Sequence, residues 1–274
     1  MTEKLASLQE ALGSRYRLLR ELGSGGMATV YLAEDTERDE PVAVKVLRRE
    51  LTVILGATHF HREIEILSRL QHPNIVPVLD SRQVGARLYY VMPFVPGDSL
   101  RTRLERQGPF PVVDVIRIVL DIAKAIDYAH EHGVLHRDIK PENVLLDGRR
   151  ALVCDFGVAR AIEVAGGEFS SSSGLVVGTP AYMSPEQATA DRVDRRSDVY
   201  ALGCVIYEML TGEIPFAGPT VQAVLARKLS EPPRNLQTVR PDVPPAVERA
   251  VLLALNKDPA GRPGSAGALA ALLT

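Results

Sequence analysis

HRDIKPENVLLDGRRALVCDFG, residues 136–157, carries most of the information about how this chain of 274 residues folds and what it does. Two short strand candidates, NVLLD and ALVCD, lie within it on either side of a turn. Asp138, Lys140 and Asn143 come before or at the start of the first strand, and Asp155 ends the second. An isolated Asp or Asn is usually a turn residue. These four polar groups fall within 18 residues and are expected at one end of the two strands. Such a group is suited to bind a divalent metal through oxygen and to orient an attacking hydroxyl.

A glycine-rich segment, GSGGMATV at 23–30, lies between two strand-like runs, RYRLLREL and TVYLAED. Taken alone it is weakly specific, because similar glycine strings mark dinucleotide-binding folds. A dinucleotide site, however, requires a helix directly after the glycines to hold the pyrophosphate. Strands on both sides predict a hairpin flap over phosphates, whose N–H groups can approach oxygen atoms because no Cβ intervenes. Ala28 stands where a third glycine is usual.

Lys45 ends the apolar strand candidate VAVK, and Glu63 lies in the following helical segment beside Ile64 and Leu67. A half-buried carboxylate needs a cation, and Lys45 is the simplest candidate. Such a pair would hold the lysine against two phosphate oxygens. The alternative for Lys45 taken alone is an exposed lysine at a strand edge.

The composition excludes several classes of protein. With 46% hydrophobic residues, 24% charged residues and a net charge of −2, the chain is typical of an ordinary globular protein and has no basic field for nucleic acid or an acidic membrane. Only six lysines occur among its 32 basic residues. Cys154 and Cys204 are flanked by apolar residues and are expected to be reduced core thiols. The polar start is not a secretory signal, and no apolar stretch reaches about 18 residues.

The chain divides into a β-rich front and a helical back, which predicts two lobes with a cleft between them. Leu5, Leu8 and Leu12 predict a short amphipathic helix that ends at Gly13. Strand-like runs follow up to Val91, interrupted by one helical segment. Apolar spacing predicts later helices at 99–107 and near 112–132, then a Gly/Ser-rich mobile loop at 158–180 and a Pro-rich connector at 231–245.

These motifs together resemble those of protein kinases, most closely the eukaryotic-like Ser/Thr kinases of bacteria. The resemblance runs from about Tyr16 to Leu273. It implies an α+β, bilobal protein kinase fold with a β-rich N-lobe holding one main helix and a larger helical C-lobe. The implied boundaries are an N-terminal extension at 1–15, the N-lobe at 16–92, a hinge at 93–97 and the C-lobe at 98–274, with an activation segment at 155–186.

The resemblance implies a role for each catalytic residue. Asp138 would accept the proton of the substrate hydroxyl, and Lys140 would reach the γ-phosphate. Lys45, paired with Glu63, would contact the α- and β-phosphates. Thr179 in GTPAYMSPE would support Asp138 and Lys140 on the substrate side. Asn143 and Asp155 would bind Mg²⁺.

The resemblance also implies an ATP-binding surface. Met92 matches the gatekeeper, and Pro93 and Val95 lie in the hinge. Pro93 has no N–H, so its carbonyl would accept from the adenine amino group while Val95 supplies the donor. The full set is Leu22, Gly23, Ser24, Gly25, Gly26, Met27, Ala28, Val30, Ala43, Lys45, Met92, Pro93, Val95 and Leu145.

Other residues match structural and regulatory positions. Glu186 and Arg262 match a buried ion pair, and Asp198 matches the acceptor of hydrogen bonds from the catalytic loop. A stacked column linking the lobes would contain Leu67, Val78, His136 and Phe156. Arg137 before the catalytic Asp is typical of kinases that are activated by phosphorylation of the mobile segment, here at Ser171 and Ser173. The alternative for this serine run is a solvated linker.

The resemblance implies Mg-ATP-dependent transfer of the γ-phosphoryl group to Ser/Thr hydroxyls of proteins, including the chain itself. Mn²⁺ is an alternative to Mg²⁺. Two other classes of protein remain. A pseudokinase usually lacks the lysine, the base or one of the metal residues. A small-molecule phosphotransferase of the aminoglycoside type should lack GTPAYMSPE and the lysine two residues after the base. The expected location is cytoplasmic, either for a soluble kinase or for the cytoplasmic domain of a membrane-anchored one. No nucleic-acid or membrane contact by this segment is expected, and a homodimer through the N-lobe is left open.

Overall fold

The computed structural model describes residues 8–10, 12–55, 57–84, 87–156 and 180–274. The chain separates into two compact units. The first unit contains the described residues up to Gln71 and those of Val76–Pro96. The second unit contains His72–Ile75 and the described residues from Gly97 onward.

The first unit is built on a five-stranded antiparallel sheet. Its strands are β1 (Tyr16–Ser24), β2 (Ala28–Asp35), β3 (Glu40–Leu47), β4 (Asp80–Val84) and β5 (Arg87–Pro93). They lie in the order β1-β2-β3-β5-β4 across the sheet. Alternation of buried and exposed residues in the β-branched runs places one face of the sheet against a core that includes Tyr31, Val44 and Val91. The strand-like pattern read from the sequence is confirmed.

The N-terminal helical turn completes this core. Residues 8–10 and 12 are helical, and Leu8 and Leu12 are buried among the sheet residues. Gly13 ends the turn with φ at +74°, a conformation that glycine adopts without the steric penalty of a Cβ. The predicted contribution of Leu5 lies outside the described residues.

Two helices follow β3, whereas the sequence predicts one. They are α1 (Arg49–Leu55) and α2 (Ala57–Ser68). The unpredicted helix α1, RELTVIL, is rich in β-branched residues, which disfavour helices in isolation. Tertiary contacts outweigh that preference: Leu51 is 3% exposed, and the buried Thr52 hydroxyl accepts a hydrogen bond from Leu88 N at 3.3 Å.

The described residues of the second unit are mainly helical and include one β-hairpin. Its helices are α3 (Leu100–Gln107), α4 (Val112–Glu131), α5 (Pro185–Ala188), α6 (Arg195–Thr211), α7 (Val221–Ser230), α8 (Leu236–Val239), α9 (Pro245–Ala254) and α10 (Ala266–Ala271). The predictions for α3 and α4 are confirmed, while the predicted connector contains the short α8. Every residue of α6 from Ser197 to Leu210 is buried, so this helix is enclosed by the rest of the unit. Within the described ranges, no helix is long and apolar enough to cross a membrane.

The β-hairpin, β6 (Val144–Asp147) paired with β7 (Arg150–Val153), carries the polar motif. Residues 72–75, which the sequence assigns to the N-lobe, belong to this unit because they pair with β7. Asn74 Nδ2 donates to Ala151 O at 2.9 Å, and Val153 N donates to Asn74 O at 2.8 Å. At the start of the unit, Gly97 lies so close to Leu146 that a Cβ would be 1.7 Å from its carbonyl oxygen.

Candidate active site

Three of the polar residues predicted from the sequence meet in the loop before β6. Lys140 Nζ donates to Asp138 Oδ2 at 2.5 Å, and Asn143 Nδ2 donates to Asp138 O at 2.8 Å. Asp138 Oδ1 accepts no hydrogen bond from any residue in the described part of the chain. The loop therefore holds a carboxylate whose one oxygen is fixed by a cation while the other can accept a proton.

Asp198, at the start of α6, holds the backbone of this loop. Its carboxylate accepts hydrogen bonds from His136 N at 2.8 Å and Arg137 N at 2.7 Å. A third bond, 2.7 Å long, joins it to His130 Nε2. Burial alone would raise the pKa of Asp198, but the bond from His130 and the neighbouring donors lower it, so the side chain is a carboxylate.

The backbone at Arg137 has a φ of +66°, which is unfavourable for a residue with a Cβ. Besides Asp198, Gln187 stabilises this conformation, because its Nε2 donates to Arg137 O at 2.9 Å. The turn at Arg137 is thus held from two helices, α5 and α6. Strain that is retained in this way is typical of functional sites.

His136 joins the Asp138 loop to the segment that carries Asp155. Its Nδ1 accepts from Asp138 N at 3.2 Å, so its Nε2 carries the proton and donates to Cys154 O at 3.0 Å. Burial lowers the pKa of His136, which favours this neutral form. The His136 ring also packs on Phe156, with ring centroids 4.6 Å apart. The rest of the predicted stacked column, Leu67 and Val78, lies in the first unit and stays a prediction.

Asn143 and Asp155, the predicted metal ligands, lie at the same end of the hairpin. Val144 pairs with Val153, and Cys154 N donates to Asn143 O at 3.0 Å. Because Asn143 Nδ2 is engaged by Asp138, its amide oxygen is oriented away from that bond. Asp155 has a φ of +65°, a second strained position beside the first.

This donor set fits a hard divalent cation, of which Mg²⁺ is one. Carboxylate and amide oxygens are ligands that Mg²⁺ prefers, and Mg²⁺ completes its shell with water and substrate phosphates rather than with a protein cage. The described residues contain no group of three or more His, Cys, Asp or Glu side chains that could hold a metal on their own.

The glycine-rich segment forms the hairpin between β1 and β2. Gly23 pairs with Val30, and Gly25 N donates to Ala28 O at 2.9 Å. Among the residues that the structure describes, an added Cβ would meet nothing within 4 Å at Gly23 or Gly26, and only Ala28 O at 3.9 Å at Gly25. Packing against the described residues therefore does not require these glycines. Their open faces fit the close approach of a ligand, as expected of a phosphate-binding flap.

The other predicted ATP residues of the first unit lie on neighbouring strands. Ala43 pairs with Met92, and Lys45 lies between Val30 and Tyr90, with its Nζ 6.0 Å from the Tyr90 ring centroid. The predicted pairing of Lys45 with Glu63 on α2 stays a prediction. Also on this unit are Leu22, Ser24 and Met27 at the hairpin, and Pro93 and Val95, both partly exposed, at and after the end of β5. Leu145 lies on β6 of the second unit, so a sandwich around adenine also stays a prediction.

Glu186 and Arg262 form a buried, bidentate ion pair in the second unit. Arg262 Nη1 and Nη2 lie 2.7 and 2.8 Å from the two carboxylate oxygens of Glu186. Ser197 Oγ donates to the same carboxylate at 2.5 Å. Burial opposes ionisation of Glu186, but these donors lower its pKa below the ordinary value.

Two polar clusters, one partly buried and one buried, were missed by the sequence reasoning. In one, Arg101 of α3 binds Glu208 of α6 at 2.7 Å and Glu142 of the catalytic motif at 2.9 Å, and it also contacts Tyr182. In the other, Lys228 of α7 is fully buried against main-chain carbonyls of residues 180–183. The sequence did offer a signal that Lys228 is buried. It lies four residues after Val224 and thus on the same helix face, and Val224 is the other buried residue of α7.

Predictions for Thr179, Ser171 and Ser173, and for most of the activation segment, fall on 157–179 and lie outside the described residues.

Comparison with known proteins identifies the family of the chain. Residues 16–272 match the protein kinase domain family. The chain is 41% identical over 257 residues to serine/threonine-protein kinase PknB of Mycolicibacterium smegmatis, covering 92% of this chain and 41% of that protein. It is 39% identical over 274 residues to serine/threonine-protein kinase pkn3 of Myxococcus xanthus (96% and 50%), and 40% identical over 258 residues to PknD of Mycobacterium tuberculosis (93% and 38%). The chain thus spans half or less of the length of these relatives. With a family match over nearly its whole length and the paired Asp138 and Lys140 in the motif HRDIKPEN, the chain belongs to the protein kinase family.

Proposed function

We propose that this chain is a catalytic domain that transfers the γ-phosphoryl group of Mg-ATP to Ser or Thr hydroxyls of proteins. The observation that carries the proposal is the 2.5 Å contact between Lys140 Nζ and Asp138 Oδ2 inside a loop held by Asp198. It is supported by the relatives described above, which are serine/threonine-protein kinases. The lysine two residues after the base favours Ser/Thr over Tyr acceptors by resemblance.

In this proposal, Asp138 accepts the proton of the acceptor hydroxyl, and the oxygen of that hydroxyl bonds to the γ-phosphorus. The bond from that phosphorus to the bridging oxygen breaks, and ADP leaves. Lys140 stabilises the phosphoryl oxygens, and the glycine flap and Lys45 hold the remaining phosphates. A Mg²⁺ held by Asn143 and Asp155 would neutralise the charge that develops on the phosphates. Mn²⁺ is the alternative metal.

Two other functions make different predictions. A pseudokinase would bind nucleotide without turnover, yet Lys45, Asp138, Asn143 and Asp155 are all present. A small-molecule phosphotransferase would lack the GTPAYMSPE shelf, whose described part, residues 180–186, is held by the Glu186–Arg262 pair. The residues present therefore favour the protein kinase.

Regulation is part of the same proposal. Phosphates on Ser171 and Ser173 would form charge-assisted bonds with Arg137 and order the activation segment. A cytoplasmic location suits a protein in which Cys154 and Cys204 are both buried and neither forms a disulfide. A homodimer through the N-lobe, and the domain boundaries given above, remain part of the hypothesis.

Intact-mass spectrometry before and after incubation with Mg-ATP tests the proposal. Stepwise additions of about 80 Da, one per phosphate, are expected for the wild type and should be absent from Lys45→Met. Peptide mapping should locate them in 158–180, and parallel reactions with EDTA, Mg²⁺ and Mn²⁺ identify the metal. Nucleotide binding without any transfer to the chain or to a Ser/Thr peptide library would contradict the proposal and favour a pseudokinase.

A further inference from the structure

Lys228 is an unusual residue for the interior of a helical unit. It lies near the end of α7 with none of its surface exposed to solvent. Its Nζ donates to Pro180 O at 2.8 Å and Ala181 O at 3.1 Å, and it also donates to Met183 O. An ammonium has three N–H donors, and three main-chain carbonyls use all of them.

The ammonium of Lys228 is bonded to main-chain carbonyls rather than paired with a carboxylate. Among the ranges that the structure describes, its Nζ forms no ion pair, although its charge lies over the ring of Tyr200 at 5.3 Å. Burial lowers the pKa of Lys228 to about 8, while the nearby Cys204 and Glu186 oppose this shift. Arg262 lies over the same Tyr200 ring at 4.9 Å, so a second cation faces this site. An apolar residue would pack here without the desolvation penalty of a charge, so the lysine is best explained by what its donors hold.

What they hold is a short segment of otherwise irregular backbone. Residues 180–183 have no regular secondary structure before α5 begins after Ser184. The C-terminal end of the segment is fixed by the capping box of Ser184 and Gln187, and the side chain of Tyr182 by Glu208. Lys228 alone gathers the carbonyls of three of its four residues, which fixes the direction of the peptide planes and therefore the face that the segment presents.

We infer that Lys228 is a positioning residue that sets the backbone of residues 180–183 so that this segment can receive the acceptor peptide. The inference rests on the proposed protein kinase function, in which 180–183 follow Thr179 in the substrate shelf. Lys228 acts through the shelf carbonyls and touches neither ATP nor the acceptor hydroxyl. Its removal should therefore affect the use of the acceptor and leave the use of ATP nearly unchanged.

The experiment compares Lys228→Met, Lys228→Gln and the wild type, with Lys124→Met as control. Lys124 is an exposed lysine on α4, so its replacement changes net charge equally without touching the shelf. KM and kcat are measured separately for ATP and for the best acceptor from a Ser/Thr-centred peptide library. Loss of a charge-assisted clamp predicts that Lys228→Met raises the peptide KM about tenfold or more while the ATP KM changes less than about twofold. Lys228→Gln, with two donors and no charge, should lie between Lys228→Met and the wild type.

The pH profile is a second readout that a purely structural role would not move. As pH rises through about 8, the buried ammonium loses a proton and one donor. The peptide KM of the wild type should therefore rise between about pH 7 and about pH 9 relative to that of Lys228→Met. Hydrogen exchange at residues 180–183 should be faster in Lys228→Met than in Lys124→Met.

The outcomes separate this inference from the proposed function. If the wild type transfers no phosphate to any acceptor, the proposed function fails. If the wild type is active but Lys228→Met keeps its peptide KM, or changes the ATP and peptide KM equally, the positioning role is wrong. If neither Lys228→Met nor Lys228→Gln folds well enough to bind ATP, Lys228 serves the whole unit rather than the shelf, which also overturns the inference.

Discussion

The guanidinium of Arg262 uses every donor that it has, which makes a substitution that keeps its charge unusually informative. Its five N–H groups form five bonds: two to the Glu186 carboxylate, and one each to Asn256 O at 2.7 Å, Arg196 O at 3.0 Å and Lys257 O at 3.0 Å. The side chain is fully buried. In Arg262→Lys the charge remains, but only three donors replace five, and the planar fork that fits a carboxylate is lost.

The expected loss follows from this count. Each lost hydrogen bond to a charged group destabilises the folded state by about 1.5–3 kcal/mol. Two lost donors therefore lower the free energy of unfolding by roughly 3–6 kcal/mol, similar to the effect of breaking a buried ion pair. For a domain of this size about 2–4 °C of Tm corresponds to each kcal/mol, so Tm should fall by roughly 6–24 °C.

Urea denaturation and thermal melts of Arg262→Lys measure this loss. The matched control is Arg234→Lys, because Arg234 contacts Glu213 at 3.5 Å with both side chains largely exposed. That change should stay within about 0.5 kcal/mol of the wild type. If Arg262→Lys lies within about 1 kcal/mol of the wild type, then the number and geometry of the donors do not explain why an arginine stands here, and the reasoning is refuted.

Three further outcomes are expected. Asp138→Asn should reduce turnover about 10²–10⁴-fold, while the ATP affinity measured by titration calorimetry stays nearly unchanged. Turnover equal to that of the wild type would show that Asp138 is not the base. The pKa values of Glu186 and Asp198 are lowered by folding, so their stabilisation is present above about pH 5 and is lost as pH falls through the folded-state values. Urea midpoints taken from about pH 6 to about pH 3 should therefore fall less for Glu186→Gln than for the wild type, and parallel curves would argue against this linkage. Gly97→Ala should lower the free energy of unfolding by about 1–3 kcal/mol or more, because its Cβ would clash with Leu146 O, and an unchanged urea midpoint would show that the close approach is absent.

The sequence predicts well where a periodic pattern or a local motif determines the structure. The helical spacing of Val115, Ile118 and Ile122 predicts α4, and the alternating β-branched runs predict the sheet. The polar residues at 138–155 are brought together because they lie on one short loop and one hairpin. These are interactions between residues close in sequence.

The rest depends on contacts between distant residues. Helix α1 is unpredicted because tertiary contacts such as that of Thr52 with Leu88 outweigh the β-branched composition of RELTVIL. Arg101 and Lys228 are missed because their partners lie 41–107 and 45–48 residues away, respectively. For Lys228 those partners are carbonyl groups, which every residue carries and no residue type reveals.

The enclosure of α6 on all sides has a consequence for how this chain can vary. Asp198 near one end of the helix supports the catalytic loop, and Glu208 ten residues later supports Tyr182 of the shelf. At about 1.5 Å per residue the helix fixes these two supports about 15 Å apart, and inserting a single residue would turn Glu208 by about 100° around the axis. With no solvent-facing surface from Ser197 to Leu210 to absorb such a change, insertions and deletions should be excluded from this helix, and diversification should be confined to loops and exposed faces elsewhere.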